Sequence, residues 1–319
     1  MIHDVVDAHI ESFVWARVLR YDLAARHGAG VLGGRLYSQL DLPRMREAGM
    51  TGGVFSIATN PFRSPGGRRD TLHANVDRLR AQLEADPGVA VVADVAGYRA
   101  ARAEGRLGCF VAVQGGNAVP AGEVERLPPI VSRVTLVHLT PSVLGRPSSP
   151  SIPDRGLTAS GKEFVEALDA QRIVLDLAHA GRRTFWGALD VHDRTVPAIV
   201  SHTGVRGVHD VWRNVDDDQI RAVAGTGGVV GIMYHCGFLG GRGAEAVVRH
   251  LEHVIGVGGE DSAALGSDWD GFIVTPRDMP TVLELPALLD RMRARGFSEE
   301  RVAKVVGGNY LRAVAAVRG

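Results

Sequence analysis

Histidines and carboxylates of the kinds that bind metal ions or move protons recur at matching places along this chain. In Asp7-Ala8-His9-Ile10-Glu11 the side chains of His9 and Glu11 share one face of a strand, because strand side chains alternate with a period of two. Further along come Val113-Gln114-Gly115-Gly116, Val137-His138, Asp176-Leu177-Ala178-His179, Ser201-His202 and Ser267-Asp268, each closing a short apolar run. A single histidine at such a place is more often a packed residue than a ligand. Four of them, His9, His138, His179 and His202, at equivalent ends of separate runs argue for one shared site. Imidazole and carboxylate, with the amide oxygen of Gln114 among them, suit zinc or a similar divalent ion. His3, His27, His73, His192, His209, His250 and His253 fall outside such positions and read as solvated or structural. His235 is open to either reading.

The elements that must hold these residues are legible as a repeat of strand and helix. The apolar runs are Val5–His9, Gly53–Ala58, Cys109–Val113, Val134–His138, Ile173–Leu177, Pro197–Ser201, Val229–Met233 and Ala263–Gly266. Their unbroken apolar character is that of strands covered on both faces. Amphipathic stretches lie between them. Asp41 with Pro43 opens one toward Ala48, stopped by Gly49; Thr71 leads another through Leu83. Ser160 caps Lys162–Ala170, Asp216 starts a helix to Ala224, and Ser298 starts the last, through Val306. Eight strands alternating with helices predict a single-domain α/β (β/α)8 TIM-like barrel over residues 1–319, with the polar residues at its C-terminal, catalytic face. Val89–Ala93 is a candidate ninth strand. The segment Pro141–Asp154, rich in proline and serine, reads as a long loop over the site.

Composition excludes several classes. The 319 residues carry 36 basic and 36 acidic side chains, so no charge excess favours nucleic acid or an anionic membrane as a partner. No stretch approaches the apolar length of a membrane span, and the N-terminus lacks a basic-then-apolar leader pattern, which predicts a cytoplasmic protein. The two cysteines, Cys109 and Cys236, form no disulfide framework and read as small buried residues on strands.

The ordered motifs resemble the membrane (renal) dipeptidase family of zinc peptidases, within the amidohydrolase superfamily. They are Asp7-x-His9-x-Glu11, Gln114-Gly115-Gly116, Thr135-Leu136-Val137-His138, Asp176-Leu177-Ala178-His179, Ser201-His202 and Arg213-Asn214, then Gly266-Ser267-Asp268-Trp269-Asp270-Gly271 and Gly307-Gly308-Asn309-Tyr310-Leu311-Arg312. The resemblance implies a metal-dependent hydrolase that cleaves a dipeptide amide bond with a metal-activated hydroxide, in a homodimer. It implies two zinc ions, one on His9 and Glu11, the other on His179 and His202, with Gln114 at the bridging position. His138 would stabilise the oxyanion and contact substrate, Asp268 would handle protons, and Arg213 would clamp the substrate carboxylate with its bidentate fork.

Two positions depart from the family pattern. Glu11 stands where aspartate is usual, which moves the carboxylate by about 1.5 Å. Gln114 stands where a glutamate bridges the metals, and its neutral amide removes a negative charge from between two dications. These departures admit two other readings. One is a member whose altered centre, holding two ions, one or none, acts on another small biosynthetic substrate; the other is an inactive protein that binds a ligand.

Overall fold

Short strands, all paired in parallel, form the frame of the computed structural model, which describes residues 3–58, 60 and 63–319. They are β1 (Val6–Ile10), β2 (Gly52–Ala58), β3 (Val89–Val92), β4 (Leu107–Gln114), β5 (Val131–Thr135), β6 (Val174–Asp176), β7 (Val200–Thr203), β8 (Val230–Ile232) and β9 (Ala263–Leu265). Nearly every residue in them is buried, as their continuous apolar character requires. One sheet runs β1-β2-β4-β5-β6 and a second runs β7-β8-β9. Single parallel bridges, Asp176 to Ile199 and Ile10 to Trp269, link the second sheet to the two ends of the first. The result is an α/β domain with a curled parallel sheet.

The expected eight runs are all strands, with shifted edges. The predicted strand Val134–His138 is observed as β5, Val131–Thr135, so His138 lies on the loop beyond it. The predicted Pro197–Ser201 runs instead from Val200 to Thr203, which places His202 inside β7. The ninth candidate is also a strand and displaces none of the eight. β3 pairs with Leu107–Phe110 of β4, and β5 pairs with Val111–Gln114 along the rest of that strand. It therefore lies at the end of the sheet away from the site.

Helix starts follow their caps. Asp41 caps Leu42–Glu47 by accepting from the Arg44 N–H, and Asp216 with Gln219 forms a full capping box for Asp217–Gly225. The helix expected from Thr71 starts earlier, running Pro65–Glu84 with Ser64 as its cap and proline in its first turn. Thr158, not Ser160, caps Ala159–Ala170, its hydroxyl accepting from Gly161 N–H. The helix from Ser298 spans Glu299–Ala303, passes through a widened turn at Lys304–Gly308 and continues as Asn309–Arg318. Cys109 is buried on β4, but Cys236 is half-buried at the start of a short helix, Cys236–Leu239, and not on a strand.

Candidate metal centre

The C-terminal ends of β1, β4, β6, β7 and β9 converge. His9 within β1 stacks on His202 of β7 with ring centroids 3.8 Å apart. His202 Nε2 lies 2.8 Å from His179 Nε2, and the His179 ring meets His138 edge-on at 4.6 Å. Gln114, the last residue of β4, places its Nε2 3.1 Å from His138 Nε2. Glu11 Oε1 is 3.3 Å and Asp268 Oδ1 3.6 Å from His9 Nε2. The structure thus brings all seven of these predicted residues together. Arg213 joins them from the loop after β7, its Nη2 donating to the His202 carbonyl at 2.9 Å.

Supporting residues fix which nitrogens face inward. Asp176 Oδ2 accepts from Ser201 Oγ and from Thr135 Oγ1, each at 2.6 Å. With its proton committed to Asp176, Ser201 can only accept from His202 Nδ1–H, at 2.8 Å. That leaves the His202 Nε2 lone pair directed into the site, the arrangement by which outer partners orient ligating histidines. Asp7 works differently: its Oδ1 accepts from the His9 and Ser267 N–H groups at 2.9 and 3.0 Å, tying the end of β1 to the end of β9.

Arg133 is the functional residue that sequence reasoning missed. It is fully buried beneath the site, donating to the Ala8 carbonyl and to Ser56 Oγ (3.0 Å), and its Nη2 comes within 2.9 Å of His9 Nδ1. A guanidinium in the middle of an apolar parallel strand, Val131-Ser132-Arg133-Val134, was the available signal. Its charge is balanced by Asp176, 3.5 Å away.

The site carries strain and unsatisfied polarity, both marks of function. His179 and Asp268 adopt left-handed backbone at φ 63° each. Gly271 is required beside Asp268, since a Cβ there would lie 2.2 Å from Asp268 Oδ1. His9 Nε2, Glu11 Oε1 and Gln114 Oε1 are buried without hydrogen-bond partners among the described residues. Ligand atoms of His9, His202 and Asp268 lie within 4.8 Å of one another. Unsatisfied N and O atoms on His9, Glu11 and Gln114, with His202 and Asp268 grouped around the same His9, are what a divalent ion would satisfy, so the residues fit a metal.

Burial sets the charge states. It drives His9, His179 and His202 well below the ordinary imidazole value, with nearby Arg213 adding to the effect, and lowers His138 to about 3. These rings are neutral, as ligation requires. Burial raises Asp268 and Glu11 well above the usual carboxylate range, and Arg213 opposes the shift at Asp268.

Other predicted features also find places. The segment Pro141–Asp154 is a loop without helix or strand, and it braces the centre: Ser148 N–H donates to the His179 carbonyl at 2.6 Å, and Pro147 bridges Ala180. Ser148, His179, Trp212 and Arg213 line a small cavity of about 50 Å³ there. His192 and His250 are buried and structural, His250 accepting from Val205 N–H at 2.9 Å. His235 receives the Val274 N–H at 3.0 Å and stands apart from the centre.

Residues 3–318 match the family described as membrane dipeptidase, peptidase family M19. The chain belongs to that family. The expectation of a metal-dependent hydrolase is met at the level of the family. A solved M19 metallopeptidase described as dipeptidase AC superposes with a TM-score of 0.88 at 25% identity, covering 99% of both chains. A Rhodobacter sphaeroides metallopeptidase, solved with a phosphinate mimic of the dipeptide L-Ala-D-Ala, gives 0.86 at 25% identity over 99% of this chain and 100% of that one. An uncharacterized Klebsiella pneumoniae protein from the pqqA 5′ region is 34% identical over 174 residues, 52% of this chain. The matched stretch spans less than two thirds of the curated relatives, 63% of that protein and 40% of an uncharacterized Schizosaccharomyces pombe dipeptidase. Among the described residues no helix is long and apolar enough to cross a membrane.

Proposed function

We propose that the protein hydrolyses the amide bond of a dipeptide, or of a similar small carboxylate-bearing substrate, at a divalent metal centre in the mouth of a (β/α)8 barrel. The observation that carries this reading is the set of buried atoms without partners among the described residues, His9 Nε2, Glu11 Oε1 and Gln114 Oε1, gathered beside His179 and His202. Those five residues would hold the metal, and their nitrogen and oxygen donors favour zinc. Such an ion lowers the pKa of water toward neutrality and polarises a carbonyl.

The chain's own groups supply the rest. One nitrogen of Arg213 is used on the His202 carbonyl, and the remaining edge of its fork is free to take a substrate carboxylate. His138, kept neutral by burial, can offer an N–H to the oxygen of the scissile group as charge builds there. The Asp268 carboxylate has no hydrogen bond among the described residues, and its raised pKa suits a group that takes and returns a proton near the substrate amine. The left-handed backbone at residue 268 aims that carboxylate toward His9.

Gln114 favours a second reading, in which one ion is held and the substrate is another small carboxylate-bearing molecule. Elemental analysis of gently purified protein, with a dipeptide panel, separates the two. About two zinc per chain with release of amino acids supports the dipeptidase; one zinc and an inert panel supports the second reading. Metal-free protein inert to the panel would leave a binding protein and overturn both. Restoring the charge with Gln114→Glu is expected to tighten metal by about 10–100-fold, read by chelator competition. We further infer a cytoplasmic homodimer, for which light scattering in solution is the direct test of assembly.

A further inference from the structure

A second recess opens at the C-terminal end of β2, beside the centre, with a volume of about 410 Å³. Ile57 and Ala58 form its floor. Its walls carry Arg17, Arg63, Arg68 and Arg78, with Thr71 and Asn75 between them. Arg68, Thr71, Asn75 and Arg78 follow helical spacing and so lie along one face of Pro65–Glu84. The remaining faces of that helix are acid-matched: Arg69 pairs with Asp70 and Glu123, and Arg80 with Glu84. The recess face has no acid.

Arg17, Arg63 and Arg78 make no ion pair with any Asp or Glu among the described residues, although Arg26, Arg295 and Arg301 elsewhere on the surface all do. Arg68 spends its donors on the Asn117 and Arg63 carbonyls. Arg17 Nε is buried without a hydrogen-bond partner among the described residues, its guanidinium lying 5.5 Å over the Phe13 ring. Like charges gathered around a polar cavity, with a desolvated guanidinium among them, are costly unless an anion joins them. Burial lowers the Arg17 pKa, with Glu11 opposing and Arg78 and Arg63 adding to the shift; Arg17 lies on the helix Phe13–Val18 that directly follows β1, which puts the recess on the β1 side of the centre. Arg213 follows β7, which is separated from β2 by three strands, β4, β5 and β6, across the Asp176–Ile199 bridge. The two basic sites therefore flank the centre from different parts of its rim.

We propose that this recess is an anion subsite that takes a second oxyanionic group of the substrate, a carboxylate or a phosphate, distinct from the carboxylate assigned to Arg213. The assignment of the group to a substrate rests on the hydrolase reading above; the existence of the subsite does not. A substrate bridging the centre would then be a dianion, for instance a dipeptide with an acidic side chain, and neutral dipeptides would bind less tightly.

Binding and turnover are measured on full-length, metal-loaded protein, comparing wild type with the Arg63→Gln/Arg78→Gln double variant, both residues being exposed. By calorimetry, glutarate or inorganic phosphate is expected to bind wild type and to lose on the order of tenfold in affinity in the variant. Loss with glutarate alone identifies a carboxylate ligand, and loss with phosphate alone a phosphate ligand. Kinetically, KM for dipeptides bearing aspartate or glutamate is expected to rise about tenfold in the variant while that for Ala-Ala holds. If Ala-Ala is hydrolysed but neither anion binding nor KM responds to the variant, the subsite is overturned and the hydrolase reading stands. If no dipeptide is hydrolysed but anion binding is lost in the variant, the subsite stands and the dipeptidase reading falls.

Discussion

Asp268 and Asp270 stand two residues apart in one motif, both buried and both in left-handed backbone at φ 63° and 66°, yet their surroundings are opposite. Asp270 is saturated: it accepts from Ser12 Oγ (2.5 Å), Gln39 N–H (2.9 Å) and Leu40 N–H (3.3 Å). It pins the segment before the Asp41-capped helix to the loop after β9. The Asp268 carboxylate has no hydrogen bond among the described residues; it lies 3.6 Å from the His9 ring, and Arg213 is the cation that acts on it. One carboxylate builds the loop and the other is left available by it. Burial or sequence context alone does not separate a structural acid from a chemical one; the number of partners does.

Three measurements bear on that contrast. The largest effect is expected from Asp268→Ala, which should lower kcat/KM by about 10²–10⁴-fold while the unfolding midpoint stays level or rises. A fall in the midpoint would erase the distinction. Asp270→Ala should do the reverse, costing about 2–4 kcal/mol of stability in denaturant titration, because Ser12 and two backbone N–H groups lose their buried acceptor. An Asp270→Ala protein as stable as wild type would show that the pinning is dispensable.

The smallest effect is in pH. Burial raises Asp270 to about 6 from an ordinary value of 3.8. The folded state holds that proton more tightly than the unfolded chain. Its stabilising contribution is therefore complete below about pH 4 and is lost as pH rises through about 6. Asp270→Asn removes that dependence. The stability of wild type minus that of the variant should fall by at most ~3 kcal/mol between pH 4 and 7. Asp7, also raised to about 6, is present in both proteins and cancels. A flat or rising difference would contradict this account.

Much of the site was legible from one-dimensional pattern. Polar residues closing apolar runs pointed to His9, Gln114, His179, His202 and Asp268, and these meet. The exact relation of residue to strand was not legible. His138 reads as a strand end but lies three residues beyond β5, because the strand begins at Val131 where the Pro128-Pro129 turn releases the chain. The start of Pro65–Glu84 lies upstream of the expected Thr71, at a Ser64-Pro65 cap signature. Arg133 and the Asp176–Ser201–His202 relay lay beyond reach for another reason. Their roles depend on hydrogen bonds between strands distant in sequence, and periodicity carries no information about which strand lies opposite which. The loop Pro141–Asp154 reads as a cover for the site; the bond from Ser148 N–H to the His179 carbonyl makes it a brace.

The two seams of the sheet have a mechanical consequence. Asp176–Ile199 and Ile10–Trp269 are single bridges, while the pairings on either side of them are longer. His9 belongs to the first sheet and His202 to the second, so an ion shared between them would act as a rivet across the gap. Stripped protein would then be free to open along the seams as two separately exchanging bodies, and loaded protein would melt as one cooperative unit, with amide exchange at Ile10 and Ile199 slowed together.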